Sequence, residues 1–152
     1  MTPHPEADRL ARGLQRCLPL AAPWAGTLYR SASPRYANRD DLISGVGGKS
    51  AGARWNPPNS FRTVYASLEV ETALAESLAH FRHFCLPVAR ALPRVLVALE
   101  ARARRVLDLS DGAVRRTLGV SDRRLLREPW REENRRRREA MTQAIGRLTY
   151  RA

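Results

Sequence analysis

The apolar residues of this chain fall in short runs, separated by segments rich in glycine, proline and small polar residues. This pattern excludes a long coiled coil and favours short strands alternating with helices. A helical pattern over residues 68–84 places Leu74, Leu78 and Phe81 on one apolar stripe, and Cys85 just after the helix continues the same spacing. Strands are predicted at residues 27–30, 63–66, 94–99 and 106–109. We therefore expect an α/β or α+β fold.

The helix over residues 68–84 carries both a start signal and a polar face. Ser67 is a candidate N-cap, and Glu69 and Glu71 place negative charge near the positive end of the helix. At 100° per residue, Glu76 lies about 200° from Leu74 and so faces away from the apolar stripe. Further helices are predicted at residues 7–17, before Leu118, after Ser121 and over residues 129–148, whereas residues 31–50 are predicted to form a mobile loop.

The length of 152 residues fits one domain. Residues 1–25, with four prolines, are predicted to be a leader segment packed loosely against a domain that covers residues 26–152. No run approaches the roughly 18 apolar residues of a membrane span, so we expect a cytoplasmic protein. Cys17 and Cys85 lie in no cluster with metal-ligand spacing, and no metal site is expected.

The net charge of +12 raises the question of a polyanionic partner. Because only Lys49 among the 27 basic residues is a lysine, a GC-rich coding bias explains the charge equally well. No aromatic and basic recognition motif accompanies it, so direct nucleic-acid binding is not expected. The arginine tract at residues 135–138 is interpreted as a solvated helix face with pairs such as Glu133 and Arg137, or else as a partner-binding or anion-binding face.

A series of polar residues on short strands, loops and one helix is typical of a cleft. Arg30 and Arg54 could each present a planar fork of donors to a pyrophosphate. A carboxylate such as Glu76 could stabilise a cationic centre, as cleavage of an N-glycosidic bond to nicotinamide requires. Taken alone, each residue is more often structural: a surface ion pair for Arg30, a core position for Tyr65, a solvated helix face for Glu76.

The order and spacing of four short blocks resemble the RES domain family. The blocks are Leu28-Tyr29-Arg30, Gly52-Ala53-Arg54-Trp55-Asn56-Pro57-Pro58, Val64-Tyr65-Ala66-Ser67 and Thr72-Ala73-Leu74-Ala75-Glu76. The Arg-Trp-Asn-Pro-Pro block is the most specific of them. Later segments at residues 106–110 and 142–145 also resemble the family, so the resemblance covers residues 26–152.

The resemblance implies a fold related to ADP-ribosyltransferases, with a mixed sheet core and flanking helices. It implies a toxin that degrades NAD as substrate, without a further cofactor, in a toxin–antitoxin pair. Arg30 and Glu76 would be catalytic, and Arg30, Arg54 and Tyr65 would bind NAD. A helix-turn-helix antitoxin would be the partner, any nucleic-acid contact would run through it, and a homo-oligomer is possible.

Three alternatives stay open at this point. Water or phosphate could accept the ADP-ribosyl unit, a protein could accept it instead, or the chain could bind its antitoxin without catalysis. The family's signature serine, in a strand after the last helix, has no counterpart here, because Ser110 and Ser121 come too early and the sequence stops at Ala152. We therefore expect a C-terminally shortened domain, with residues 149–151 beginning an incomplete strand.

Overall fold

The computed structural model describes residues 1–152, apart from the side chain of His80. The fold is a mixed α/β fold, with 50% helix, 19% strand and a small antiparallel sheet, as the sequence predicts. None of the described helices is long and apolar enough to cross a membrane. The elements are α1 (Ala7–Cys17), β1 (Ala22–Ala32), α2 (Arg39–Ser44), α3 (Val46–Ala51), α4 (Val70–His83), β2 (Val95–Val106), α5 (Gly112–Leu118), α6 (Asp122–Arg127), α7 (Trp130–Arg135) and α8 (Met141–Arg151).

The chain divides into two compact units. The length of the sequence had suggested a single domain. The first unit contains residues 1–23, 47–63 and 104–152, and the second contains residues 24–46 and 64–103. Each unit is therefore assembled from segments distant in sequence.

The first unit is built around helix α1, which packs against α5 and α8. Leu10, Leu14 and Cys17 of α1 are buried in one cluster with Leu118 and Met141. The expectation of a loosely packed N-terminal segment is wrong, because this helix supplies part of the apolar core. Its apolar residues at spacings of four and three form the stripe that an amphipathic helix buries.

The C-terminal third differs from its prediction in two places. The helix predicted over residues 129–148 is two helices, α7 and α8, and Arg137 between them has a positive φ of 56°. Residues 149–151 continue α8 and begin no strand, since the Thr149 hydroxyl donates to the Ile145 carbonyl and Tyr150 stacks on Phe61. The short helix before Leu118 and the Ser121 cap of α6 are confirmed, as the Ser121 side chain accepts from the Arg124 amide.

Most of the two-stranded sheet of β1 and β2 belongs to the second unit. The predicted strand at 27–30 is the centre of the longer β1, and the strand predicted at 94–99 is the first half of the longer β2. The separate strand predicted at 106–109 is wrong, because β2 ends at Val106 and residues 107–109 form no strand. The predicted strand at 63–66 is wrong; Ser67 forms one isolated bridge with Tyr29. The loop predicted at 31–50 contains α2 and α3, because the Asn38 side chain caps α2 and Gly45 ends it with a φ of 63°.

Glu139 forms a buried ion pair within the first unit. The carboxylate is 4% exposed and accepts from Arg147 Nε at 2.6 Å, from Arg147 Nη2 at 2.8 Å and from the His4 amide at 3.0 Å. Burial by itself would raise the pKa of Glu139, but the hydrogen bonds from Arg147 and His4 outweigh it and lower the pKa. The pair therefore ties the N-terminus to α8.

Glu139→Gln is expected to lower the free energy of unfolding by about 3 kcal/mol at neutral pH, because Arg147 loses its counter-charge. A lowered folded-state pKa contributes stability that is present above the unfolded-state pKa of about 4.3 and lost as pH falls through the folded value. Urea unfolding at neutral and at acidic pH measures the free energy of unfolding of both proteins. The difference in this free energy between wild type and Glu139→Gln should become smaller as the pH is lowered.

Glu132→Gln is the matched control, because Glu132 pairs with the exposed Arg136 on the surface. It removes the same charge and should change stability by no more than about 1 kcal/mol. Equal losses from the two variants would contradict a special role for the buried pair.

Candidate active site

A cavity of about 200 Å³ opens within the second unit. It brings together three of the four predicted site residues: Arg30 from β1, Tyr65 from the segment before α4, and Glu76 from α4. The remaining lining residues are Tyr29, Ser31, Ala66, Ser67, Ala73 and Ser77.

The guanidinium of Arg30 is held by the backbone and forms no ion pair. Its Nη1 donates to the Leu42 carbonyl of α2 at 2.5 Å, and burial lowers the pKa of the group. Among the described side chains no carboxylate lies within salt-bridge distance of Arg30. Because arginine stays protonated at physiological pH, the cavity contains a partly desolvated positive charge without a counter-ion.

The carboxylate of Glu76 is positioned by Ser67. Helix α4 presents Ala73, Glu76 and Ser77 to the cavity, on a different face from Leu74 and Leu78, as the periodicity predicts. The Ser67 hydroxyl donates to Glu76 Oε2 at 3.2 Å.

Ser67 is not the N-cap that the sequence predicts. Helix α4 begins at Val70, and the Glu69 carbonyl accepts its first helical hydrogen bond, from Ala73. Ser67 is instead 7% exposed, and its backbone exchanges two hydrogen bonds with Tyr29 of β1, of 2.7 and 2.9 Å. These bonds attach the segment before α4 to the strand that carries Arg30.

Arg94 supports the cavity wall without lining it. Its Nε donates to the Ser31 hydroxyl at 3.0 Å and its Nη2 to the Ser31 carbonyl at 2.7 Å. Arg94 and Ser31 were not among the predicted site residues, and Ser67 was predicted as a helix cap. Ser67 belongs to the Val64-Tyr65-Ala66-Ser67 block, and that position is the one signal that could have indicated its role in the site.

Arg54 belongs to the first unit, whereas the residues that line the cavity belong to the second. Its Nη2 donates to the carbonyls of Leu125 and Leu126, both at 2.9 Å, in the last turn of α6. A cation at this end of a helix satisfies free carbonyls and opposes the negative end of the helix dipole. Nε and Nη1 of Arg54 form no hydrogen bond with the described residues, so the three N–H groups on these two nitrogens stay available to a ligand.

The specific Arg-Trp-Asn-Pro-Pro block is anchored to α8. Asn56 is fully buried and its side-chain amide donates to the Gly48 carbonyl at 2.5 Å. Gln143 of α8, also fully buried, donates to the Ala53 carbonyl at 2.9 Å. The buried amide side chains of Asn56 and Gln143 therefore fix the backbone conformation of this block within the first unit. The composition of the block did not indicate this structural role.

The cavity in the second unit contains two opposite charges that do not pair with each other. Within the part of the chain that the structure describes, Arg30 and Glu76 form no salt bridge, although both line the cavity. No group of described His, Cys, Asp or Glu side chains could hold a metal ion. The arrangement can bind a ligand that carries both an anionic group and a centre that becomes cationic.

Comparisons with known proteins agree with this architecture. The model of the RES domain matches residues 27–152. A solved structure described as the crystal structure of the M. tuberculosis MbcT-MbcA toxin-antitoxin complex is similar, with a TM-score of 0.69 and 21% identity over 94% of this chain and 71% of that chain. None of the curated proteins matches. Since the family model covers most of the sequence, the chain belongs to the RES domain family.

Proposed function

We propose that this protein is the toxin of a toxin–antitoxin pair and that it cleaves the nicotinamide–ribose bond of NAD. The family match and the likeness to a toxin–antitoxin complex support the first part. The unpaired Arg30 and Glu76 in one cavity carry the second part. Separated charges that do not neutralise each other are available to a substrate that is anionic at its pyrophosphate and cationic at its nicotinamide.

In this mechanism Glu76 faces the ribose as the C1′–N bond breaks. Nicotinamide leaves with the bonding electron pair, and positive charge develops on the ribose ring. A fixed carboxylate stabilises that charge more strongly in the transition state than in the ground state. Attack by water then gives ADP-ribose and releases one proton; attack by phosphate gives the phosphorylated ADP-ribose.

Arg30 and Tyr65 bind and orient the substrate. The guanidinium of Arg30 donates to phosphate or ribose oxygens, and the ring of Tyr65 stacks on or orients the nicotinamide end. A cavity of about 200 Å³ is smaller than the roughly 300 to 1,000 Å³ of pockets that enclose whole ligands. The cavity therefore takes the reacting end of the dinucleotide and leaves the adenosine outside.

The direct test is release of nicotinamide from NAD by the purified protein, followed by chromatography with and without added phosphate. Free ADP-ribose or its phosphorylated form supports cleavage with water or phosphate as acceptor. Nicotinamide release that tracks label on a protein, with no free ADP-ribose, assigns mono-ADP-ribosyl transfer. No release under any of these conditions contradicts the proposal of an NAD-cleaving enzyme.

The partner in this proposal is a helix-turn-helix antitoxin that covers the NAD cleft, and the site of action is the cytoplasm, where NAD is found. Co-expression with such an antitoxin should abolish nicotinamide release while the complex stays folded. If the complex releases nicotinamide at the rate of the free protein, the antitoxin does not regulate this site.

Arg54→Lys separates the proposed ligand contact from the observed helix contact. The resemblance to the family predicts that the KM for NAD rises although the charge is kept, because an ammonium cannot present a planar fork. Loss of the contacts to Leu125 and Leu126 should lower the Tm by a few degrees at the same time. A lower Tm with an unchanged KM for NAD would show that Arg54 stabilises the end of α6 and does not contact NAD.

A further inference from the structure

The positive charge of this protein is concentrated in one of its two units. The first unit contains 20 basic and 9 acidic residues, a net charge of +11, whereas the second contains 7 and 6, a net charge of +1. A coding bias toward arginine acts on the whole chain and does not explain this division. The excess charge therefore belongs to the surface of the first unit and not to the proposed NAD cavity.

Ten of the first unit's arginines lie within residues 115–138. The structure pairs only some of them: Arg124 with Glu6, Arg136 with Glu132 and Arg138 with Glu133, which corrects the pairing of Glu133 with Arg137 suggested by the sequence. Among the described side chains the following arginines of this stretch form no salt bridge: Arg115, Arg116, Arg123, Arg127, Arg131, Arg135 and Arg137.

Several of these unpaired arginines are exposed, and one of them, Arg131, is repelled by Arg54. Arg123, Arg127 and Arg135 are exposed. Arg131 lies over the Trp130 ring at 4.3 Å from its centroid, and burial together with repulsion from Arg54 lowers its pKa. An anion bound near Arg131 would reduce this repulsion.

The surface of the first unit also has a recess lined by arginines that could bind a phosphate group. Arg123, Arg124 and Arg127 of α6 line a depression of about 280 Å³ together with Glu128 and Pro129. Guanidinium groups present fixed forks of donors that match the oxygens of a phosphate.

Nucleic acid fits this surface better than an acidic protein does. Stable protein interfaces are built around a centre of apolar and aromatic side chains, whereas nucleic-acid interfaces are more polar and far more positive. Over residues 115–138 Leu126 is the exposed large apolar side chain, and arginines surround it in sequence. We infer that helices α6 and α7 of the first unit bind the phosphate backbone of a nucleic acid, a function separate from the proposed NAD cleavage.

The test measures binding of a fluorescently labelled short DNA duplex, and of the matching single-stranded RNA, by anisotropy between about 50 and 200 mM salt. The triple variant Arg123→Gln, Arg127→Gln, Arg135→Gln should reduce the slope of log K against log salt by about 3, roughly one unit for each lost phosphate contact. Its circular dichroism and nicotinamide release should match wild type, which shows that the fold and the cavity are unaffected.

The matched control is Arg82→Gln, Arg90→Gln, Arg102→Gln, which removes the same charge from exposed arginines of the second unit. It should keep the wild-type slope. Equal losses in both triple variants would show that only the net charge acts and would overturn the inference. So would the absence of DNA and RNA binding by wild type, or polyglutamate that competes as well as nucleic acid does.

Discussion

Replacing Glu76 with glutamine is expected to lower the rate of nicotinamide release by about 10²- to 10³-fold while the fold stays intact. Glutamine keeps the shape of the side chain and can still interact with the Ser67 hydroxyl, but it removes the negative charge that would face the developing cation. Because Glu76 is exposed and lies off the apolar face of α4, its loss should cost little stability.

Glu71→Gln provides the control for this experiment. Glu71 lies on the same helix, is exposed and does not line the cavity, so the variant removes the same charge from the same element. Steady-state rates of both variants, together with their thermal unfolding curves, separate chemistry from folding. Turnover near the wild-type rate in Glu76→Gln would remove this carboxylate from the mechanism.

Gly146→Ala is expected to lower the free energy of unfolding by at least about 3 kcal/mol. Alanine in place of glycine inside a helix normally stabilises by about 1 kcal/mol. Here a Cβ on Gly146 would lie 1.8 Å from the Trp55 carbonyl oxygen, which belongs to the backbone and has no rotamer to change. Helix α8 would have to separate from the Arg-Trp-Asn-Pro-Pro block, which would also disturb the hydrogen bond from Gln143 to Ala53.

Gly47→Ala is the matched substitution in α3, where an added Cβ meets nothing within 4 Å. It should leave stability unchanged or raise it by less than about 1 kcal/mol. Urea unfolding of both variants measures the contrast. Equal stability of the two alanine variants would contradict the close approach of α8 to Trp55.

Much of the second unit's site could be predicted from local patterns. The spacing of apolar residues along α4 places Glu76 away from the stripe of Leu74 and Leu78, and the structure has it on the cavity face. The β-prone run around Arg30 is a strand. These features depend on the helical period of 3.6 residues or the strand period of 2 residues, and both periods can be recognised from residues that are close in sequence.

The first unit shows where local patterns failed. The N-terminal prolines suggested a loose leader, but the side chains of α1 are covered by helices about 100 and 130 residues away. The arginine-rich end suggested one long helix, but it breaks after α7. Helix propensity is a weak preference, and backbone hydrogen bonds such as that from Thr2 to the Arg137 carbonyl outweigh it.

The order and spacing of nearby residues were enough to predict the mixed α/β class, the polar face of α4, the Ser121 cap of α6 and membership of the RES family. Folding was needed to bring Arg30 and Glu76 into one cavity without pairing them, and to place Arg54 at the end of α6. Folding also divides the charge unequally between the two units. Electrostatic pairing and burial depend on distances between residues far apart along the chain, and those distances exist only after folding.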